Sequence, residues 1–250
     1  MTSDAPRSNS SGSDKNAHLG LIIPAVNRVC EEQFNRHAPR DLNILAMRAR
    51  IAGKWGLPIP QMADEITRAT NYIAESEPDL IVYHCTGSSM KEGPDGERRI
   101  LGIMSESTDI PVVSTSALVK EALDELDLES VVVISPYPNN NQIITYLEAV
   151  GKRVVHSVAL DLPPTAFDSL TAKQWVEVAT ENDRPDADAI FLSCANTTQI
   201  DAVAPLERLL NKPVVNSNQA VLWGSVRRLS HKLDPLKPNP ALGRLMNSLF

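Results

Sequence analysis

Two cysteines stand where a thiol can do chemistry. Asp79-Leu-Ile-Val-Tyr-His84 runs into Cys85-Thr-Gly-Ser-Ser89, and Asp188-Ala-Ile-Phe-Leu-Ser193 runs into Cys194-Ala-Asn-Thr-Thr198. Each is a short aliphatic and β-branched run that breaks into small polar residues at the cysteine. Such a run reads as a buried parallel strand ending in a loop and a helix start. Ligands of open α/β sheets bind beyond the carboxyl ends of the strands, so the two thiols can face one pocket. There a thiolate is a nucleophile and a thiol is a proton donor. Loop N–H groups and the hydroxyls of Thr86, Ser88, Ser89, Thr197 and Thr198 are candidate donors to a carboxylate.

The elements that must position these thiols follow in chain order. Residues 1–17 are Ser/Gly/Asn-rich and read as a disordered tail. Strands are expected at 19–24, 42–47, 79–84 and 111–113, with helices near 30–37, 61–75, 96–106 and 116–126 between them. The same order begins again with a strand at 130–135. A helix to Val150, a strand at 153–160, a helix at 171–182, the Cys194 strand, a helix to Leu210, the strand Pro213–Val215 and a helix over 218–228 complete it. Gly53–Pro58 is a loop, with Trp55 exposed, long enough to wall or cover a pocket. The stretch 231–250 carries three prolines and is expected to pack along the surface.

The second half repeats the first. Pro24-Ala-Val-Asn27 aligns with Pro136-Tyr-Pro-Asn139, Cys85 with Cys194, and Pro111-Val-Val-Ser-Thr-Ser116 with Pro213-Val-Val-Asn-Ser-Asn218, at shifts of 112, 109 and 102 residues. Three landmarks in one order, each just after a strand, predict two similar Rossmann-like α/β lobes with central parallel sheets. Their expected spans are 18–128 and 129–230, related by a pseudo-two-fold axis with the site in the cleft between them.

Composition narrows the function. A formal net charge of −7 over 250 residues argues against non-specific nucleic-acid binding, and no apolar run reaches the length of a membrane span. Three widely spaced cysteines and no signal peptide point to free thiols in the cytoplasm. No zinc-type Cys/His spacing, Walker loop or dinucleotide glycine motif is present, so chemistry without a metal or cofactor is expected. Cys30, early in a helix, reads as core packing. His84 neighbours Cys85 in a strand, so their side chains point to opposite faces and His84 reads as a packed core histidine.

Leu21-Ile-Ile-Pro-Ala-Val-Asn27, Tyr83-His-Cys85, Ser135-Pro-Tyr137 and Leu192-Ser-Cys194 resemble the aspartate/glutamate racemase superfamily. Within it they are most similar to the maleate isomerase and arylmalonate decarboxylase branch, and Pro240 to Leu245 resembles the end of the decarboxylases. The resemblance implies that Cys85 is the nucleophile that adds to a double bond and Cys194 the proton donor and acceptor. It also implies that Asn27 and Tyr137 bind substrate carboxylates. The decarboxylases have glycine at the Cys85 position, so two thiols favour an isomerase or racemase. Two departures from the maleate isomerases stand out: Thr86-Gly-Ser-Ser89 is polar where theirs is mostly apolar, and no asparagine lies near Pro163-Pro-Thr165.

The expected protein is a cofactor-independent two-cysteine isomerase of a small mono- or dicarboxylate, working as a homo-oligomer. Its expected site is Cys85 and Cys194 with Asn27, Tyr137, Thr86, Gly87, Ser88, Ala195 and Asn196. Arylmalonate-type decarboxylation with Cys194 as proton donor is the alternative, and a non-catalytic small-ligand binding protein is the reading of a different class.

Overall fold

Eight short apolar runs form the strands of the computed structural model, which describes residues 17–53 and 56–250. Four belong to each half. β1 (Ala17–Pro24), β2 (Leu42–Ala49), β3 (Leu80–Tyr83) and β4 (Val112–Ser114) pair in the order β2-β1-β3-β4, all parallel. β5 (Ser130–Ser135), β6 (Arg153–Ala159), β7 (Ala189–Leu192) and β8 (Val214–Asn216) pair as β6-β5-β7-β8, again all parallel. The two sheets share one topology, as the internal repeat predicts.

Parallel strands need crossover helices, which explains the apolar runs: β3, β5 and β7 are buried at every position. The first lobe carries α1 (Cys30–His37), α2 (Ile59–Ala74), α3 (Thr86–Met90), α4 (Gly93–Ser107) and α5 (Thr115–Glu125). The second carries α6 (Asn141–Ala149), α7 (Ala172–Glu181), α8 (Val203–Leu210) and α9 (Ser217–Leu229), followed by α10 (Gly243–Asn247). None of the described helices is long and apolar enough to cross a membrane.

Alternation along the strands sorts the core. Ile22, Ile81 and Tyr83 pack under α2 and α4, while Val132, Ile134, Ile190 and Leu192 pack with Trp175 of α7 and Leu206 of α8. The opposite faces, Leu19, Leu21 and Ile23 of β1 with Val131, Val133 and Phe191 of the second sheet, join one cluster that runs through both lobes. α5 and α9 lie against each other inside that cluster, and α9 also touches α1 and β3 of the first lobe. Gly224 permits the approach: a Cβ there would come 2.5 Å from Cδ2 of Leu118. The lobes are therefore tied by a continuous apolar core.

Two expectations at the ends change. Ala17 is the first residue of β1 and fully buried rather than part of a tail; the rest of that expected tail, 1–16, lies outside the described residues. The stretch 231–250 does not simply lie on the surface. Leu242, Leu245 and Met246 enter the shared core, because α9 alone leaves apolar faces that need cover.

Asn216 joins this packing to the cleft. Its Oδ1 accepts N–H bonds from Asn218 (3.0 Å) and Gln219 (3.3 Å), and its Nδ2 donates to Leu192 O at 3.1 Å. The Gln219 side chain returns to Asn216 N at 2.8 Å, closing a capping box at the start of α9. Asn216→Ala should cost about 2–4 kcal/mol, a lost cap plus newly unpaired buried groups. Urea unfolding at constant m checks this; a change below about 0.5 kcal/mol would refute it.

Candidate active site

The site lies where each sheet's strand order reverses. The chain leaves β1 and β3 on either side of that point in one lobe, and β5 and β7 in the other, so four strand ends meet across the cleft. They carry Asn27 after β1, Cys85 after β3, Tyr137 after β5 and Cys194 after β7. The cavity between them measures about 410 Å³, and its walls include Asn27, Cys85, Thr86, Gly87, Ser88, Tyr137, Cys194, Ala195 and Asn196. The structure thus brings every expected site residue to one cavity.

Cys85 ends the extended chain just before α3. Burial pushes its thiol up, against the Ser88 hydroxyl and the N–H groups of Ser88 and Gly87, which hydrogen-bond the sulfur and favour its thiolate. The Ser88 hydroxyl is itself held 3.0 Å from the hydroxyl of Tyr83, which lies on the same strand face as Cys85. Cys194 is more strongly perturbed. Burial raises it to about 12, opposed by a Tyr137 hydroxyl that donates to the sulfur and by Asn196 N–H at 3.3 Å. At neutral pH Cys194 is thus a protonated thiol, the form a proton donor needs.

Tyr137 lies close to both thiols. Burial first, and then the electrostatic influence of Cys194 and Cys85, hold its pKa well above the usual range, while Gly87 N–H opposes the rise. Its ring packs edge-on against Phe167 at 5.5 Å. Thr86 adds a hydroxyl that is buried and has no hydrogen-bond partner in the structure, a donor free for substrate.

Asn27 is already engaged. Its Oδ1 accepts from Val29 N (3.1 Å) and Cys30 N (2.9 Å), and its Nδ2 donates to Ala195 O at 2.9 Å. One Nδ2 hydrogen remains for a carboxylate. Its repeat counterpart behaves differently: Asn139 is exposed, and Asn140 is the buried residue, bonded to Ser135 Oγ (2.5 Å) and Val158 O (3.0 Å). Asn196 likewise knits loops, accepting from Arg28 N at 2.8 Å.

Ser89, Thr197 and Thr198 fall outside the cavity walls. Ser89 Oγ donates to Thr86 O at 3.2 Å, Thr197 Oγ1 contacts Gln199 Oε1 at 2.9 Å, and Thr198 Oγ1 donates to Leu170 O. Their hydroxyls serve the turns that carry the site, as Ser and Thr do near helix starts. Cys30 is buried away from the cavity, and all three cysteines are free. Trp55 lies outside the described residues, but Gly53 and Gly56 beside it line the cavity. Ile51, Lys91, Gln142, Pro164 and Phe167 also line it. Sequence reasoning missed these: Ile51 follows β2 but offers no polar side chain, and the other four do not sit at a strand end. No group of three or more His, Cys, Asp or Glu among the described residues is placed to hold a metal ion.

His84 sits behind Cys85 in the core. Asn218 Oδ1 can only accept, so His84 Nε2 donates to it at 2.9 Å and Nδ1 takes the Thr115 hydroxyl at 2.9 Å. Burial lowers its pKa to about 4 and keeps the ring neutral.

The family model for arylmalonate decarboxylase matches residues 45–245. An arylmalonate decarboxylase from Bordetella bronchiseptica is 30% identical over 92% of this chain and 96% of its own length. A maleate isomerase from Nocardia farcinica (strain IFM 10152) is 25% identical over 91% of this chain and 94% of its own. Among solved structures, the fold matches a Nocardia farcinica maleate cis-trans isomerase mutant with a covalently bound succinylcysteine intermediate. That match has a TM-score of 0.77 at 23% identity and covers 86% of this chain and 93% of that one.

Two pH experiments follow from these environments. Removing a donor to the sulfur destabilises the thiolate, so Ser88→Ala should raise the Cys85 pKa. The pH profile of its alkylation by iodoacetamide, read on the Cys85 peptide, should move up by about 0.5–1 pH unit; an unmoved profile would refute the Ser88 contact. His84 has a folded pKa below its unfolded one, so the stability present above about pH 6.5 drains away as pH falls towards 4. The loss reaches about 3 kcal/mol at most. Urea unfolding at pH 7 and pH 5 should show about 2 kcal/mol of that loss in the wild type and a smaller one in His84→Gln.

Proposed function

Because the chain belongs to the arylmalonate decarboxylase family, in the branch of the aspartate/glutamate racemase superfamily shared with the maleate isomerases, we propose that it is a two-cysteine isomerase of a small carboxylate. The observation that carries the reading is the pair of thiols facing one cavity with the Tyr137 hydroxyl close to both. A decarboxylase needs one proton donor; two thiols on opposite walls fit a reaction that works on both sides of a substrate carbon skeleton.

For a cis-enedioate the steps balance as follows. Cys85 as thiolate adds to one alkene carbon, and the electron pair of the double bond moves to the neighbouring carbon and its carboxylate. Cys194 delivers its proton to that carbon, leaving a succinyl thioether with a C–C single bond. Rotation about that bond, return of the proton to Cys194 and expulsion of the Cys85 thiolate release the trans isomer. The Nocardia farcinica relative with a succinylcysteine intermediate supports such an adduct by similarity. Gly87 N–H, Tyr137, Thr86 and the remaining Asn27 hydrogen are the donors for the carboxylates. The same thiols would racemise a carbon α to a carboxylate by moving one proton off one face and another onto the opposite face. The enzyme needs no cofactor in either version.

The buried, unpartnered Thr86 hydroxyl favours one competing reading, decarboxylation in which the Thr86–Ser89 loop stabilises an enediolate and Cys194 protonates it. Substitution separates the two. Cys194→Ala should cost about 10²–10⁴ in turnover under both readings, and activity within threefold of wild type would sink the site assignment. Cys85→Ser should lose nearly all isomerisation, since a serine hydroxyl is barely ionised near neutral pH. Quenching the wild type during turnover of maleate should leave one substrate mass on the Cys85 peptide. A Cys85→Gly protein that releases carbon dioxide from an arylmalonate at the wild-type rate would decide for the decarboxylase.

A further inference from the structure

Apart from one residue, the walls of the cavity are uncharged among the described residues; the exception is Lys91. It follows Met90 at the end of α3, the helix that begins just after Cys85, so the two residues flank one short element. At about 1.5 Å per residue, Lys91 lies roughly 9 Å along that element from Cys85. Its ammonium donates to Gly56 O, a neutral carbonyl on the loop that walls the same end of the cavity. Lys120, Lys152, Lys173, Lys212 and Lys232 each pair with a carboxylate. Among the described residues Lys91 pairs with none, although Glu92 follows it and lies within its electrostatic reach. The Glu92 oxygens are committed to Ile59 N at 2.8 Å and to the Arg99 guanidinium.

A half-buried ammonium with three N–H donors and one neutral acceptor has bonding capacity left over. It faces a cavity whose other walls are Pro24, Val26, Ile51, Pro138 and Phe167 with a few neutral polar groups. In such surroundings an ammonium attracts an anion more strongly than it would in water. The cavity's 410 Å³ lies in the range of roughly 300–1,000 Å³ that suits ligands well beyond a four-carbon diacid. The donors around Cys85 and Tyr137 already serve the carboxylate next to the reacting carbon.

We propose that Lys91 forms a second, anion-binding subsite at the far end of the pocket, so that the substrate is a carboxylate bearing a further carboxylate remote from the carbon that meets the thiols. The inference rests on the carboxylate-pocket reading above and names the substrate class within it. Lys91 is a specificity residue here, and its contact with Gly56 also holds that residue at the cavity wall.

Calorimetric titration of the wild type and of Lys91→Met and Lys91→Arg tests this with matched probes. Succinate, glutarate and adipate supply the remote carboxylate at increasing distance, and butyrate, pentanoate and hexanoate omit it. In the wild type the best diacid should bind about tenfold or more tighter than its monoacid, the worth of one hydrogen bond to a charged group. Lys91→Met, which keeps the stem but removes the charge, should erase that ratio and leave the monoacids within about twofold of wild type; Lys91→Arg should retain most of it. A ratio that survives in Lys91→Met, or is absent from the wild type, overturns the subsite. Equal weakening of mono- and diacids in Lys91→Met also overturns it and assigns the residue to holding Gly56. If none of the six acids binds the wild type, the carboxylate pocket itself is wrong, a result distinct from the loss of the subsite alone.

Discussion

Two side-chain amides converge on one backbone carbonyl, and the active-site cleft depends on that point. Asn27 Nδ2, from the first lobe, and Asn218 Nδ2, from the second, donate to Ala195 O at 2.9 and 3.3 Å. Asn218 continues to Gln33 Oε1 at 2.6 Å, and Gln33 Nε2 continues to Thr197 O at 2.8 Å. His84 closes the chain behind Cys85 through Asn218 Oδ1. All of these side chains are buried, so each broken link leaves a polar group unpaired at a cost of about 1–3 kcal/mol. The apolar core shared by both lobes sets how close they come. The amide chain sets their register, and with it the positions of the Cys85 and Cys194 loops.

The same burial that fixes the geometry opposes ionisation of both thiols. Each lobe answers with donors drawn from the residues next to its own cysteine: Gly87, Ser88 and the Ser88 hydroxyl in one, Asn196 N–H in the other. Tyr137, which follows β5 in the same lobe as Cys194, adds a hydroxyl to the second set. Cys85 therefore has more local help towards the thiolate, and Cys194 remains a protonated thiol at neutral pH. The two similar residues thus sit in different environments set by the count and kind of neighbouring donors, the way paired titratable groups are separated elsewhere.

The two lobes share one frame, and different residues at matching positions supply the asymmetry. His84 precedes Cys85 and carries the amide chain, whereas Ser193 precedes Cys194 with a buried hydroxyl that finds no partner. Thr115 bonds His84, while its counterpart Ser217 accepts from Cys194 N at 3.3 Å. Glu97 receives hydroxyls from Ser114 and Tyr146, the latter across the lobes, and Glu207 receives the N–H groups of Val214 and Arg244. Glu97 of α4 and Glu207 of α8, in equivalent helices of the two lobes, thus hold the lobes to each other in one half and the C-terminal segment in place in the other.

Much of this was legible in the sequence, because parallel strands buried on both faces must be apolar runs and ligands gather at their carboxyl ends. The Cys85 and Cys194 runs, the repeat of Pro111–Ser116 in Pro213–Asn218 and the burial of His84 away from its neighbouring thiol all follow from such local rules. What the sequence left undecided depended on which groups meet through space. Asn27 and Asn139 look alike as residues after a Pro at a strand end, yet one bridges the lobes and the other faces solvent. Ser89, Thr197 and Thr198 carry the right hydroxyls, but nearby carbonyls and amides claim them. Lys91, Gln142 and Phe167 reach the cavity from helices and loops whose packing angles no local pattern encodes. Periodicity fixes which face a side chain takes; only the docking of one lobe on the other, through a shared apolar core and a buried amide chain, decides what that face meets.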